Sequence, residues 1–524
     1  MENRRVRLRF APSPTGGLHM GGVRTALFSY LFAKKHNGDF ILRIEDTDQT
    51  RYVNGAEEYI IEALKWCGIE PNEGVGFGDG PHAPYRQSER KELGIYKKYA
   101  DQLIAGGHAY FAFDTPDELD AMRKRLEAAK VVAPQYNAVT RQNMRNSLTL
   151  SEDEVKKLMD AGTPYVVRLK VPRNEEIRFH DIIRGWVVVN SAQVDDKVLL
   201  KSDGMPTYHL AHIVDDIEME VSHAVRGEEW LPSAPSHILI YRYLGCEDKM
   251  PLLAHLPLIL KPDGNGKLSK RDKSGIPMFP LDWHDERTGE KYTGYRETGF
   301  FPEAFVNMLA MLGWNPGTTQ EIFTIEELIQ AFSFERVNKS GAKFDPEKTK
   351  WFNQQYLRKK SDEELAQLFS PILEEKLKTA SPNSKTPSFA YVTGVCRLVK
   401  EKSHFVSEFW DSGNYFFITP TTYDADVIKK RWNDQSANYI KAVTEAFKGL
   451  NMFTAAETEA TFKQTAEAQG IATGQVMQLF RVCLSGVGGG PMLFEMVELL
   501  GKDEVVKRLE TAVNVIGKTV QQGV

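Results

Sequence analysis

Residues 6–48 read VRLRFAPSPTGGLHMGGVRTALFSYLFAKKHNGDFILRIEDTD, and this stretch decides the fold class. Its first five residues predict a short strand, and a turn rich in proline and glycine follows. A helix is predicted from about Gly22, because apolar residues then recur at helical spacing, at Val23, Ala26, Leu27, Tyr30 and Leu31. Gly38 is a typical helix stop, and residues 40–44 predict a second strand.

Strand, turn, helix and strand at this spacing form one βαβ unit, which implies a parallel sheet with helices outside it. The turn after the first strand and the acidic tip of the second, Glu45-Asp46-Thr47-Asp48, would then lie at the carboxyl edge of the sheet. Open α/β sheets bind their ligands at this edge. We therefore predict a Rossmann-like parallel-sheet domain with a binding site at these two segments.

The rest of the chain divides into further parts by its pattern of apolar and charged residues. After Gly107, charged helical stretches alternate with strand-like runs such as residues 165–169, and strand patterns fade beyond Phe301. A segment over 379–388 rich in proline, serine and threonine is typical of a linker. The predicted domains are a split Rossmann-like domain over 1–106 and 194–300, an inserted α/β domain over 107–193, a helical domain over 301–378 and an all-helical region over 379–524.

The charge of the chain does not by itself indicate a nucleic-acid partner. The 524 residues exceed what one hydrophobic core usually holds, and their net charge is −5, whereas nucleic-acid binders are more often basic. Residues 336–360, however, contain eight basic and two acidic side chains, a local charge of +6. This segment is equally typical of a solvated helical face, so it indicates RNA binding only if the rest of the chain requires an RNA partner.

The cysteines and the apolar segments favour a protein of the reducing cytoplasm with no membrane partner. Cys67, Cys246, Cys396 and Cys483 are far apart and form no CxxC pair, which argues against a disulfide framework and a zinc knuckle. The first ten residues lack the continuous apolar stretch of a secretory signal. No segment approaches the roughly 20 apolar residues that are needed to cross a bilayer.

Two clusters have the residue types needed to bind a nucleoside triphosphate. In the first, over 12–22, glycines at the strand-to-helix turn let the backbone approach a ligand, and the helix N-terminus suits a phosphate. His19 could there stabilise phosphate oxygens, or serve only a structural purpose. The second cluster is Lys267-Leu268-Ser269-Lys270-Arg271, after the flexible run 262–266. Such a loop suits clamping a polyphosphate, although alone it is more typical of an exposed basic loop.

Together the two clusters resemble the HIGH and KMSKS motifs of class I aminoacyl-tRNA synthetases. His19-Met20-Gly21-Gly22 and residues 267–271 carry this resemblance. Residues 9–16, 43–48, 206–211 and 226–230 are similar to the bacterial-type glutamyl-tRNA synthetases in particular, and the similarity extends over nearly the whole chain.

The resemblance implies an enzyme that uses ATP to join L-glutamate to the 3′ end of tRNA-Glu. The reaction would pass through glutamyl-adenylate and release AMP and pyrophosphate, with Mg²⁺ accompanying ATP. The resemblance also implies a monomer, an inserted domain that holds the acceptor end, a helical domain that contacts the tRNA stem and a helical C-terminal region that reads the anticodon.

Roles at matching positions follow from the same resemblance. The residues implied for glutamate binding are Arg9, Ala11, Ser13, Glu45, Tyr208, His212 and Arg226. Those implied for ATP binding are His19, Gly21, Gly22, Glu229 and Lys270, with His19, Lys267 and Lys270 as the catalytic residues. We expect tRNA contacts at Arg51, Lys339, Lys343 and Lys350. Without the resemblance, a surface ion pair with Glu228 or Glu229 would be the expected state of Arg226.

Two features bear on metal binding. His209, His212 and Asp215 are spaced by three like metal ligands, but in the resembling family this helix lines the amino-acid pocket, and we expect no metal there. Some relatives carry zinc at the start of the inserted domain, where residues 109–113 here contain no cysteine, so zinc is not expected. The second histidine of the HIGH pattern is Gly22 in this chain, as is common in the glutamyl subfamily.

Three other protein classes share part of these patterns. Glutaminyl-tRNA synthetases usually have Pro-Glu-Pro where Ser13 lies here in Pro-Ser-Pro, and Arg226 suits a carboxylate. A small-molecule adenylyltransferase would not explain the long helical sequence after residue 300, and a catalytically silent RNA-binding protein would not need His19. The sequence leaves open whether tRNA-Gln is also charged and which side chains read the anticodon, with Lys400 and Lys402 as candidates.

Overall fold

The computed structural model describes residues 4–131, 134–269, 277–382 and 385–521. Lys270 and Arg271, which the sequence implicates in catalysis, lie outside the described residues. The chain forms two compact units, Met1–Thr349 and Lys350–Val524. Each is described by itself.

In the part of the chain that the structure describes, all the strands belong to the first unit. They are β1 (Arg7–Phe10), β2 (Asp39–Leu42), β3 (Glu73–Gly74), β4 (Ala109–Ala112), β5 (Val166–Leu169), β6 (Glu176–Asp181), β7 (Gly185–Asn190), β8 (Val198–Leu200), β9 (His223–Gly227), β10 (Leu252–Leu256), β11 (Ile259–Leu260), β12 (Trp283–Asp285), β13 (Glu290–Tyr292) and β14 (Ala342–Lys343). Seven of them form one sheet in the order β3-β2-β1-β9-β10-β6-β7. Within it β6 and β7 are antiparallel, and every other neighbouring pair is parallel.

The strand order places a ligand crevice beside β1. Along the chain β1 is followed by β2 on one side, and the later strand β9 pairs with its other side. Where the order of the strands reverses in this way, a crevice opens at the carboxyl ends of the two strands concerned, here β1 and β9. Open α/β sheets bind their ligands in this crevice. The parallel-sheet architecture predicted from residues 6–48 is therefore confirmed.

The helices of the first unit lie around this sheet and its smaller neighbours. They are α1 (Met20–Lys35), α2 (Ala56–Trp66), α3 (Gln87–Lys91), α4 (Ile95–Ala105), α5 (Pro116–Ala128), α6 (Glu152–Asp160), α7 (Tyr208–Glu218), α8 (Ala234–Tyr243), α9 (Tyr295–Thr298), α10 (Pro302–Met311) and α11 (Ile325–Ala331). Helix α1 begins at Met20, two residues earlier than predicted, because His19 caps it: the Nδ1 atom of His19 accepts a hydrogen bond from the amide of Gly21.

The strands around the predicted insertion pair across its predicted boundaries. Strands β6 and β7 lie within 107–193 but join the seven-stranded sheet, whereas β8 lies after residue 193 and pairs with β5 in the antiparallel sheet β4-β5-β8. The two sheets also share one buried core that includes Leu169, Ile177, Leu199, Ile213 and Leu239. Short apolar strands contain no local signal for their partner, so their pairing depends on this common core. The domain boundaries remain a prediction.

The second unit is helical over its described residues. Helix α12 (Pro346–Lys359) includes the last residues of the first unit, and the helices that follow are α13 (Asp362–Ala380), α14 (Phe389–Val399), α15 (Phe409–Gly413), α16 (Ala425–Arg431), α17 (Asp434–Lys448), α18 (Ala455–Ala468), α19 (Thr473–Ser485), α20 (Leu493–Leu500) and α21 (Lys502–Gln521). The rings of Tyr439, Phe462 and Phe480 pack together in its core. The predicted helical C-terminal half is confirmed. Among the described residues of the whole chain, every helix is too short or too polar to span a bilayer.

Candidate active site

A cavity of about 600 Å³ opens at the carboxyl edge of β1 and β9. Its lining brings together residues that are far apart in the sequence. The predicted site residues that line it are Arg9, Ala11, Ser13, His19, Gly21, Gly22, Glu45, Arg51, Tyr208, Arg226, Glu229 and Lys267. The turn after β1, the acidic tip after β2 and the start of the second cluster therefore meet in one place.

The other predicted site residues lie elsewhere. His212 is buried behind Tyr208, whose carbonyl oxygen accepts a hydrogen bond from its Nδ1 atom at 2.6 Å. Lys339 and Lys343 are exposed in the first unit, and Lys350 is half-buried in the second. Lys270 is outside the described residues, although Ser269 beside it lines the cavity.

The N-terminus of α1 faces the cavity at His19, Gly21 and Gly22. His19 accepts the amide hydrogen of Gly21 at Nδ1, at 3.1 Å, so a neutral His19 carries its proton on Nε2. A Cβ atom on Gly21 would lie 3.4 Å from His19 Nδ1, which is an ordinary contact distance. The protein itself therefore leaves room for a side chain at Gly21, and the glycine keeps that space open beside the positive end of the helix.

A buried ionic network lies beneath the cavity, and sequence reasoning missed most of it. Asp216 of α7 accepts hydrogen bonds from Arg9 at 2.9 and 3.2 Å and pairs with Arg43 at 2.8 Å. Arg43 also bonds Glu45 at 3.0 Å. Burial alone would raise the pKa of Asp216, but the guanidinium groups of Arg9 and Arg43 outweigh it and hold that pKa well below its ordinary value.

The sequence does carry a signal for this network. Asp215 and Asp216 are adjacent acidic residues within an otherwise apolar helical run, and a buried carboxylate requires cationic partners. Asp215 is held by Arg90 at 2.6 Å and by Gln87 at 2.8 Å. Both of its carboxylate oxygens therefore accept hydrogen bonds within the protein.

Arg226 is a buried cation without a carboxylate partner among the described residues. Its side chain lines the cavity although the residue is only 8% exposed. Its Nη1 atom donates to the hydroxyl of Tyr208 at 3.1 Å, and its Nε atom has no hydrogen-bond partner in the described part of the chain. Without the family resemblance, Arg226 was expected to form a surface ion pair with Glu228 or Glu229. That expectation is wrong, because Glu228 pairs with Arg184 and Glu229 pairs with Lys267 at 3.0 Å.

Aromatic rings close one side of the cavity. The ring of Tyr208, the first residue of α7, stacks on His212 with centroids 4.4 Å apart and lies 4.4 Å from the tilted ring of Trp230. Trp230 also lines the cavity and was not singled out as a site residue from the sequence. It follows Glu229 directly, so the end of β9 provides a cation, a carboxylate and an aromatic surface within five residues.

Arg24 is a second lining residue that the sequence analysis missed. Its guanidinium donates to the carbonyl oxygens of Pro257 and, at 3.0 Å, of Leu312. Burial lowers the pKa of Arg24 to about 10. Arg24 lies among the mostly apolar residues of α1 that are buried. A cation within such a run could have indicated a buried polar contact, since these positions are normally apolar.

Two family models cover most of the chain. A model described as tRNA synthetases class I (E and Q), catalytic domain, matches residues 5–351. A model described as Anticodon binding domain matches residues 364–513.

Relatives and solved structures match over nearly full length. The Glutamate--tRNA ligase of Cytophaga hutchinsonii is 54% identical over 521 residues, with 99% of each chain covered. That of Parabacteroides distasonis is 54% identical over 519 residues, covering 98% of this chain and 100% of the relative. The crystal structure of a glutamate tRNA ligase from Elizabethkingia meningosepticum in complex with its amino acid has a TM-score of 0.91 and 48% identity, covering 98% of this chain and 100% of that chain. The chain therefore belongs to the class I tRNA synthetases of the E and Q type.

Proposed function

We propose that this protein is a glutamate–tRNA ligase, which activates L-glutamate with ATP and transfers it to the 3′ end of tRNA-Glu. The observation that carries the proposal is Arg226, a buried guanidinium that faces the cavity without a carboxylate partner among the described residues. A buried charge is costly unless it is paired, so the site favours a ligand that supplies an anion. The full-length similarity to glutamate–tRNA ligases supports glutamate as this ligand.

Both charged ends of glutamate find complementary groups in the cavity. Arg226 presents a guanidinium for the side-chain carboxylate, which it can bind in a bidentate manner. Glu45 lies on the same lining, and burial raises the pKa of its carboxyl against the opposing effect of Arg43 and Arg9. The α-ammonium group of the substrate would stabilise the charged form of Glu45. Ala11 and Ser13 complete the lining from the turn after β1.

The N-terminus of α1 is suited to the phosphates of ATP. We assign the phosphates to Gly21, Gly22 and His19, where the helix dipole and an open backbone favour negative charge. Lys267 also lines the cavity and pairs with the nucleotide-binding candidate Glu229, and Lys270 of the same cluster would add a second cation. These groups stabilise the negative charge that develops at the α-phosphate and on the leaving pyrophosphate.

The reaction needs little covalent chemistry from the protein. The α-carboxylate of glutamate attacks the α-phosphorus of ATP, which forms glutamyl-adenylate and releases pyrophosphate. The terminal 2′-hydroxyl of the tRNA then attacks the activated carbonyl and releases AMP. Positioning and electrostatic stabilisation account for both steps, and the site accordingly offers cations, a carboxylate and glycines.

We expect Mg²⁺ to enter with ATP. This ion is usually held by substrate phosphates and one or two carboxylates. The lining carboxylates outside the Arg43 network are Asp46, which accepts from Ser88, Asp48, which pairs with Arg51, and Glu229, which pairs with Lys267, so the phosphates would supply most of the ligands. The ion would neutralise phosphate charge.

Contacts with tRNA are proposed at Arg51, Lys339, Lys343 and Lys350. Arg51 lines the cavity that the 3′ end must reach, and its exposed side chain pairs with Asp48 at 2.7 Å. The match of residues 364–513 to an anticodon-binding model supports anticodon reading by the helical C-terminal region. We further propose a monomer that acts in the reducing cytoplasm, in keeping with four widely spaced cysteines.

Aminoacylation of purified tRNA-Glu and tRNA-Gln with each of the two amino acids tests the proposal. We expect glutamate to be attached to tRNA-Glu, and we expect glutamate-dependent exchange of pyrophosphate into ATP to require the cognate tRNA. Exchange that runs equally well with glutamine would contradict the assigned amino acid. Glutamate attached to tRNA-Gln as well would extend the RNA specificity without changing the amino acid.

A further inference from the structure

Three side chains form a hydrogen-bonded chain behind the cavity and end at Arg226. His237 of α8 is buried and its Nδ1 atom lies 3.4 Å from Nη1 of Arg226. Its other ring nitrogen, Nε2, lies 3.2 Å from Nδ1 of His209. Nη1 of Arg226 also donates to the hydroxyl of Tyr208. Both hydrogens of Nη1 therefore have an acceptor within the protein.

These contacts determine the protonation state of His237. A guanidinium has only donors, so Nδ1 of His237 must accept and the proton of a neutral ring must lie on Nε2. That proton is then donated to Nδ1 of His209. A doubly protonated His237 would present a donor to the guanidinium and break this hydrogen bond. Burial, together with the nearby charges of His212 and Arg226, holds the pKa of His237 well below its ordinary value, which keeps the ring neutral.

The same geometry leaves the opposite edge of Arg226 available. With Nη1 occupied by Tyr208 and His237, Nη2 is the nitrogen that neither donates to nor is enclosed by the described residues, whereas Nε lacks a partner but is enclosed. The side chain lines the cavity, and the direction of the guanidinium determines whether its free N–H groups can meet a carboxylate there. A second buried contact beside Tyr208 restricts rotation of the fork.

We infer that His237 is a positioning residue for Arg226, and that through this contact it strengthens binding of the substrate's side-chain carboxylate and its discrimination from an amide. The inference rests on the proposed function, because it assumes that the ligand at Arg226 is glutamate. His237 does not line the cavity and acts only through the guanidinium. It binds neither ATP nor tRNA.

The test compares two replacements of His237 in the full-length protein, assayed by aminoacylation of tRNA-Glu. His237→Leu keeps a similar volume but removes the acceptor, whereas the side-chain oxygen of His237→Asn can accept from Arg226 at nearly the position of Nδ1. We expect His237→Leu to raise the KM for glutamate about tenfold or more and to lower the preference for glutamate over glutamine, with the KM for ATP nearly unchanged. His237→Asn should restore most of the glutamate affinity.

His223→Leu is the matched control. His223 lies on the same strand as Arg226, contacts Ser222 Oγ at 2.8 Å and packs against Phe32. The substitution therefore removes a packed histidine that is not part of the hydrogen-bonded series of side chains leading to Arg226. We expect its KM for glutamate to remain that of the unaltered protein. If His237→Leu does not fold, His209→Leu replaces it, because His237 then loses the acceptor of its Nε2 proton and with it a contact that holds the ring beside Arg226, and the KM for glutamate should again rise.

The outcomes separate the two proposals. If the unaltered protein does not charge tRNA with glutamate, the proposed function fails. If it does, and His237→Leu or its substitute His209→Leu leaves the KM for glutamate unchanged, the positioning role fails while the function stands. Equal rises in the KM for glutamate and for ATP, or no recovery in His237→Asn, would also overturn the positioning role, since both indicate a general structural defect.

Discussion

At the scale of single residues, Arg226 distinguishes this cavity from an ordinary polar crevice. A guanidinium that is 92% removed from solvent keeps its charge at a high cost in solvation unless an anion is bound beside it. The neighbouring carboxylates Glu228 and Glu229 are paired with other cations. The charge is therefore available to a ligand, and its loss should affect one substrate more than the other.

We predict that Arg226→Ala lowers kcat/KM for glutamate by about 100-fold or more, the range expected when one partner of a buried charge pair is removed. The KM for ATP should change by less than about threefold, because the phosphates are assigned to the N-terminus of α1 and not to Arg226. Steady-state aminoacylation with each substrate varied in turn measures both values. Arg296→Ala, which removes an exposed arginine paired with Glu62 and Glu297, is the control. Equal losses for glutamate and ATP would contradict the assignment.

At the scale of elements, α7 connects β1 with the segment that follows β2. Its residue Asp216 binds Arg9 of β1 and also Arg43, which directly follows β2. These bonds are buried, so a single carboxylate positions the turn after β1 relative to the acidic tip after β2. Removing one partner of a buried ion pair leaves uncompensated charge and usually destabilises a protein.

We predict that Asp216→Asn lowers the free energy of unfolding at pH 7 by about 3–5 kcal/mol. The folded-state pKa of Asp216 lies below the unfolded value of about 3.8, so the aspartate stabilises the fold fully above that pH and loses its effect as the pH falls towards the folded-state pKa. The difference between the two proteins should therefore shrink below about pH 4. Urea unfolding at several pH values measures it. Asp120→Asn, at an exposed site in the same unit, should show no such pH dependence; a constant difference down to the lowest pH would refute the account.

At the scale of the whole molecule, the local distribution of charge determines where RNA can bind more than the net charge does. The chain has a net charge of −5, yet residues 336–360 carry a local charge of +6. Within this segment Lys339 and Lys343 are exposed, whereas Lys348 is paired with Glu321 at 2.6 Å. A phosphate backbone would therefore meet the first two lysines more readily than the third.

We predict that the double variant Lys339→Glu and Lys343→Glu weakens tRNA binding and reduces the slope of log K against log salt by about one for each phosphate that is no longer neutralised. Filter binding or anisotropy over a range of salt concentrations measures this slope. The KM for ATP should stay nearly constant. The same charge change at Lys97 and Lys98 of α4, both exposed, is the matched control. An unchanged slope in the double variant would place the RNA elsewhere.

Much of the fold follows from local pattern. The βαβ unit, the helical C-terminal half and the meeting of residues 9–22 with residues 45–48 depend on the spacing of apolar residues, which is readable along the chain. The limits of α1 were predicted within a few residues, because apolar residues recur at helical spacing along it and Gly38 marks its stop. Parallel strands share a carboxyl edge, so the place of the cavity followed as well.

The sequence by itself determined which chemical groups are present and which edge of the sheet they occupy. Only the tertiary structure decided that Asp216 bridges Arg9 and Arg43, that β6 and β7 extend the large sheet, and that His237 contacts Arg226. The physical reason is that these contacts join residues distant in the chain, and their energies depend on burial and orientation. Neither quantity has a local signal, whereas helical and strand periodicity does.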